Sequence, residues 1–76
     1  MKLTQLSSRQ RARITRITGA DALRQRLVAL GVLRGLSISV GATSLWGNPR
    51  TYIIGPQQIC LRSEEAGCIE IEVVAS

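Results

Sequence analysis

The sequence has no histidine and no phenylalanine, only two cysteines and two prolines, and a single tryptophan and a single tyrosine as its aromatic content. Each scarcity closes off a class of function. Without histidine there is no Ser-His or Cys-His dyad and no imidazole ligand for a metal. Two aromatics are too few to line the groove that Pro-rich peptides require. No apolar run approaches the ~18 residues of a membrane-spanning helix. The opening Met1-Lys2-Leu3-Thr4-Gln5 lacks the apolar stretch of a secretory signal, so the expected compartment is the cytoplasm. Cys60 and Cys68 form no C-x-x-C pair, and their spacing fits neither a zinc site nor a redox motif. Both stand in apolar company, Ile59-Cys60-Leu61 and Gly67-Cys68-Ile69, and are expected as buried free thiols acting as small hydrophobes. A disulfide is not expected in a cytoplasmic chain.

Acid is scarce in the first half. Residues 1–38 carry Lys2, Arg9, Arg11, Arg13, Arg16, Arg24, Arg26 and Arg34 against Asp21 alone, a net +7. Residues 39–76 carry Arg50 and Arg62 against Glu64, Glu65, Glu70 and Glu72, a net −2. Such asymmetry marks a surface for an acidic partner, or else a solvated face that keeps a small protein soluble. The whole chain has 76 residues, 45% hydrophobic and 20% charged, which is the composition of one folded domain over residues 1–76 with a small core. So small a domain has little room for a deep substrate cleft, and no enzymatic activity is expected.

The pattern is strand-rich with one helix. Ala12 and Ile14 alternate with Arg9, Arg11 and Arg13 in the segment Arg9 to Thr18, which predicts a half-buried strand ended by Gly19. Asp21 is placed to cap a helix over residues 22–30, where Leu23, Leu27 and Leu30 form an apolar stripe. Gly31 supplies the left-handed C′ position and Val32 folds back on the last turn. The helix is only about 13 Å long, too short to stand alone, and must pack on the sheet. Gly35 turns the chain into a strand in which Leu36, Ile38 and Val40 face inward. Gly47-Asn48-Pro49 marks a turn before Thr51-Tyr52-Ile53-Ile54, and Gly55-Pro56 a second before Ile59-Cys60-Leu61. Ser63-Glu64-Glu65-Ala66 reads as one helical turn with acids near its N-terminus, and Ile69, Ile71 and Val73 alternate in a last strand. About five short strands with regular turns predict a small antiparallel barrel with the helix across one end.

The blocks Leu3-x-x-Leu6, Ala12-x-Ile14-x-x-Ile17 and Arg26-Leu27-x-x-Leu30-Gly31-x-x-x-Gly35 resemble the ferrous iron transport protein A family, FeoA. Gly47-Asn48-Pro49, Leu61-Arg62-x-Glu64-Glu65-Ala66 and Ile69-Glu70-Ile71-Glu72 follow in the same order, so the resemblance spans residues 3–73. It implies an SH3-like β-barrel and a cytoplasmic accessory protein of the ferrous iron permease FeoB, which carries a cytosolic G-protein domain. Docking would recruit the chain to the inner face of the membrane. A similar domain ends some metal-dependent repressors, where it is an interaction module. The family's Pro-Gly pairs before the first strand and after the helix are replaced here by Ser8-Arg9 and Arg34-Gly35, and its Pro-Leu-Gly-Asp-Pro hairpin by Ser44-Leu45-Trp46-Gly47-Asn48-Pro49. Lost prolines loosen loops by a few tenths to about 1 kcal/mol each and leave the fold intact.

The expected docking residues are Arg24, Arg26, Leu33, Arg34, Leu45 and Trp46. Arg24, Gln25, Arg26 and Val28 lie on the outer side or flank of the helix. An exposed Val28 or Leu33 beside arginine would make the mixed apolar and basic patch favoured at interfaces. Leu33 has ordinary barrel packing as its competing role, and Trp46 is either a partner anchor or a cover for the small core. Neither a catalytic residue, a metal ligand set nor a cofactor is expected. The carboxylates and cysteines show no ligand spacing. Self-association is a further expected contact. A nucleic-acid or repressor-type regulatory role is the alternative, weakened because no aromatics interleave with Arg9, Arg11 and Arg13.

Overall fold

Alternation of buried and exposed side chains builds the frame. The computed structural model describes residues 1–43 and 49–75. A short 3-10 turn, η1 (Leu3–Gln5), precedes β1 (Arg11–Ile17), α1 (Asp21–Ala29), β2 (Ser37–Thr43), β3 (Arg50–Ile54), β4 (Gln57–Leu61), α2 (Ser63–Ala66) and β5 (Ile69–Ala75). The five strands form one antiparallel sheet in the order β4-β3-β2-β1-β5. In β1, Ala12 and Ile14 are fully buried while Arg11 and Arg13 are exposed, as their alternation requires. The predicted strand is trimmed at its start, and Arg9 falls outside it.

One core gathers Leu3, Leu6, Ile14, Leu27, Val32, Ile38, Tyr52, Leu61, Ile69 and their neighbours. Tyr52 is the largest fully buried side chain and occupies volume that phenylalanine would hold elsewhere. The N-terminal segment is tied into this core. Arg50 donates from Nη1 to the Thr4 carbonyl at 3.3 Å and from Nη2 to the Leu6 carbonyl at 2.9 Å, and its guanidinium lies 5.5 Å from the Tyr52 ring centroid. Leu3 and Leu6 are thereby held inside.

The helix ends as its sequence requires. Gly31 has φ +93°, its N–H donates to the Val28 carbonyl at 3.0 Å, and the Val32 N–H donates back to the Leu27 carbonyl at 3.0 Å. This is a Schellman motif, closed by burial of both Leu27 and Val32. Gln57 Nε2, from the start of β4, donates to the Leu30 carbonyl at 2.6 Å and satisfies another acceptor of the helix end.

Three local expectations are corrected. Asp21 is not the cap: Ala20 holds the N-cap position without a side-chain bond, and the Asp21 carboxylate turns to Arg24 within the first turn. Leu36 precedes β2 and is exposed rather than core. Cys60 is exposed and Cys68 half-buried, because Ile59 and Leu61 take the inward positions of β4. Glu65 is buried, since its Oε1 accepts the Arg62 N–H at 2.9 Å and so draws the carboxylate back over the start of α2.

Candidate functional site

The outer side of α1 is the candidate docking surface. Asp21, Arg24, Gln25 and Val28 recur at helical spacing and, with Ala29, line an open depression. Val28 is 49% exposed and Leu33, just past the helix, is 45% exposed. Val28 stands one helical turn from Arg24, and Leu33 is next to Arg34 in the chain, so exposed apolar and basic side chains occur together in the mix found at interfaces.

The predicted residues fall into three groups. Arg24, Leu33 and Arg34 are exposed on α1 and the turn that follows it. Arg24 pairs with Asp21 on the same face, which holds its guanidinium against the helix rather than leaving it to sweep solvent. Arg26 points elsewhere: its Nη1 stands 3.1 Å from Glu65 Oε2, so it ties α1 to α2. The pair is Coulombic rather than an aligned hydrogen bond, because Glu65 Oε2 is buried without a hydrogen-bond partner among the described residues. Leu45 and Trp46 lie outside the described residues. Tyr52, the other aromatic flanking that hairpin, belongs to the core.

The arginines of β1 meet mixed neighbours. Arg11 stands opposite Ser39 and Arg13 opposite Ser37 on β2. On the other side Arg13 stands opposite Glu72 and Arg16 opposite Glu70 of β5. The sequence shows Glu70 and Glu72 only as part of a last strand, with no neighbour assigned to them. The register instead sets them beside the basic strand, where opposite charges across a strand pair contribute about 0.2–1 kcal/mol.

Among the described residues, no group of three or more Cys, Asp and Glu side chains comes together to hold a metal ion. Burial raises the Tyr52 phenol above its usual value, with the Arg50 charge pulling the other way, but Tyr52 faces the core and not the α1 depression. Leu36 is the exposed residue that pattern reading missed. Its signal was its place directly after Gly35, at a strand end where the sheet covers only part of a side chain. No helix among the described residues is long and apolar enough to cross a membrane.

The FeoA domain model matches residues 1–73. The chain is 32% identical, over all of its 76 residues, to the Fe(2+) transport protein A/Fe(2+) transporter FeoB fusion protein of Porphyromonas gingivalis. It spans only 9% of that relative's length. The solution structure of iron(II) transport protein A from Clostridium thermocellum superposes with a TM-score of 0.90 at 38% identity, covering 97% of this chain and 46% of that one. The crystal structure of Stenotrophomonas maltophilia FeoA complexed with zinc, described as a procaryotic SH3 domain protein, superposes with a TM-score of 0.81 at 25% identity. It covers 95% of this chain and 89% of that one. With its sheet matching these SH3-like structures and a family model matched from residue 1 to residue 73, the chain belongs to the FeoA family.

Proposed function

We propose that this chain is a non-enzymatic accessory domain of ferrous iron uptake that works in the cytoplasm by docking on the cytosolic part of a FeoB-type permease. The observation that carries the reading is the Porphyromonas gingivalis fusion, in which a segment similar to the whole of this chain shares one polypeptide with a FeoB transporter. Covalent linkage keeps two modules at an effective concentration on the order of millimolar, which serves a contact that is functional but individually weak. The α1 face suits such a contact: a small apolar centre at Val28 and Leu33 with Arg24 and Arg34 beside it. Leu45 and Trp46 are proposed to take part in the docking as well, and Arg26 would contribute by holding α1 in place through Glu65. The domain would act by binding one conformation of the permease better than another, which shifts the population toward it.

Charge reversal tests the reading. Arg24→Glu together with Arg34→Glu should slow association with the permease's cytosolic domain by about tenfold or more at low salt, and the difference should shrink as salt rises. Unchanged association would remove the α1 face from the docking site. The nucleic-acid alternative gains no support from the register, because Glu70 and Glu72 stand beside the β1 arginines.

A further inference from the structure

The sheet ends in two edge strands, β4 and β5, and the chain protects one of them. At β5 its own first residues cover the edge. The Ile71 N–H donates to the Met1 carbonyl at 2.7 Å, Lys2 forms a bridge with Glu70, and Glu70 and Glu72 add charge to the strand. Among the described residues β4 has no such cover, since no backbone hydrogen bond from outside the β3–β4 pairing reaches it. Its sequence, Gln57-Gln58-Ile59-Cys60-Leu61, also lacks the charges and the proline that keep an edge strand from pairing with another chain.

The hairpin decides which groups of β4 are open. Gly55-Pro56 is a two-residue turn with Gly55 at φ +59°, so Ile54 and Gln57 form its closing, hydrogen-bonded pair. By alternation Tyr52 with Ile59 and Arg50 with Leu61 bond across as well, and Gln58 and Cys60 direct their N–H and C=O groups away from β3. Burial of Ile59 and Leu61 fixes this register, and the side chains of Gln58 and Cys60 are exposed.

We infer that the β4 edge pairs with the β4 edge of a second copy, antiparallel about a two-fold axis at Ile59. In this register Gln58 of one copy stands opposite Cys60 of the other, the two exchange N–H and C=O bonds, and Pro56 and Arg62 stay outside the ladder. The edge suits itself because no like charges meet across it. A partner recognised by charge finds no handle on β4, while the rest of each copy, at net +5, only repels its twin. Self-pairing therefore tightens as salt rises, the reverse of binding to an acidic partner. A pair of five-residue strands buries less than a standard interface, which sets the dissociation constant on the order of 0.1–1 mM. The inference is independent of docking on the permease, which uses α1.

The test is a concentration series of the full chain in dithiothreitol, from about 0.05 to about 2 mM, read by sedimentation equilibrium and by amide chemical shifts. Mass should rise toward that of a dimer, more at ~0.5 M salt than at ~0.05 M, with shifts centred on Gln58, Ile59 and Cys60. Gln58→Lys with Cys60→Lys sets like charges opposite each other and should weaken pairing about tenfold. Gln58→Lys with Cys60→Glu sets opposite charges there and should restore it. Gln58→Lys alone takes the place of the double-lysine variant if that one fails to fold, with a smaller loss expected. A monomer at every concentration would overturn the inference, as would shifts centred away from β4 or equal pairing of the double-lysine variant. Shifts at Gln58 and Cys60 that appear only with the permease's cytosolic domain would overturn it too, and assign the edge to that partner.

Discussion

Arg26 on α1 stands 3.1 Å from the buried carboxylate of Glu65 on α2, and this contact joins the only two α-helices among the described residues. The arginine is itself 67% exposed, so the pair gains little from Coulomb attraction alone. Its weight comes from the other partner, a carboxylate with 10% exposure that also accepts the Arg62 N–H. Removing Arg26 leaves that carboxylate without its cation.

Arg26→Ala should therefore lower stability by about 1 kcal/mol, and Glu65→Ala by about 1–2 kcal/mol because it also removes the α2 cap. The two losses should not add in the double variant, since they break one shared contact. Denaturant unfolding of the three variants checks this.

Arg50 should matter through the backbone it holds. Arg50→Ala removes donors to the Thr4 and Leu6 carbonyls, costing about 1–2 kcal/mol. Hydrogen exchange should then accelerate at Gln5 and Leu6, whose N–H groups donate within η1, more than in β2. Lysine should not rescue the variant, because a single ammonium cannot reach both carbonyls as a planar fork does.

Gly31 and Gly35 share φ +93° but differ in surroundings. A Cβ on Gly31 would stand 3.3 Å from Gln57 Oε1, in the side chain that caps Leu30, whereas one on Gly35 would meet open space. Alanine at either position takes on the left-handed penalty of about 1–2 kcal/mol. Gly31→Ala should cost more than Gly35→Ala, read as a lower denaturant midpoint with an unchanged slope.

The buried Tyr52 predicts a one-sided pH dependence. Burial raises its phenol in the folded state above the usual value of about 10. Below that value the phenol is protonated both folded and unfolded, and its contribution is complete. Above it the unfolded chain releases the proton first, so stability falls as pH rises through the folded value. Tyrosinate absorbance should appear at higher pH than in free tyrosine and together with loss of near-ultraviolet dichroism. Tyr52→Phe should remove this alkaline loss.

How much of this was legible in the sequence depended on range. Local periodicity carried β1, where Ala12 and Ile14 alternate with arginine, and the Gly31 signal carried the Schellman end of α1. The Leu-Cys neighbourhood misled because apolar company was read in place of alternation: period two sends Ile59 and Leu61 inward and Cys60 out. Asp21 shifted by one position, a displacement too small for capping preference to resolve. Contacts between distant segments left no local trace. Neither Arg26 with Glu65, nor Arg50 with the Leu6 carbonyl, nor Glu70 opposite Arg16 can be read from spacing. The exposed flank of α1 bearing Arg24 and Val28 was legible as such. The separation of Arg24 from Arg26 required the structure.

The central claim is that the α1 face meets a FeoB-type permease. A chemical-shift titration of the isotope-labelled chain with the cytosolic domain of its own permease tests it most directly. The account predicts shifts at Arg24, Gln25, Val28, Leu33 and Arg34 and at Leu45 and Trp46, with the Tyr52 core and β4 unmoved. A folded spectrum without shifts at millimolar partner, or shifts centred on another face, would contradict it.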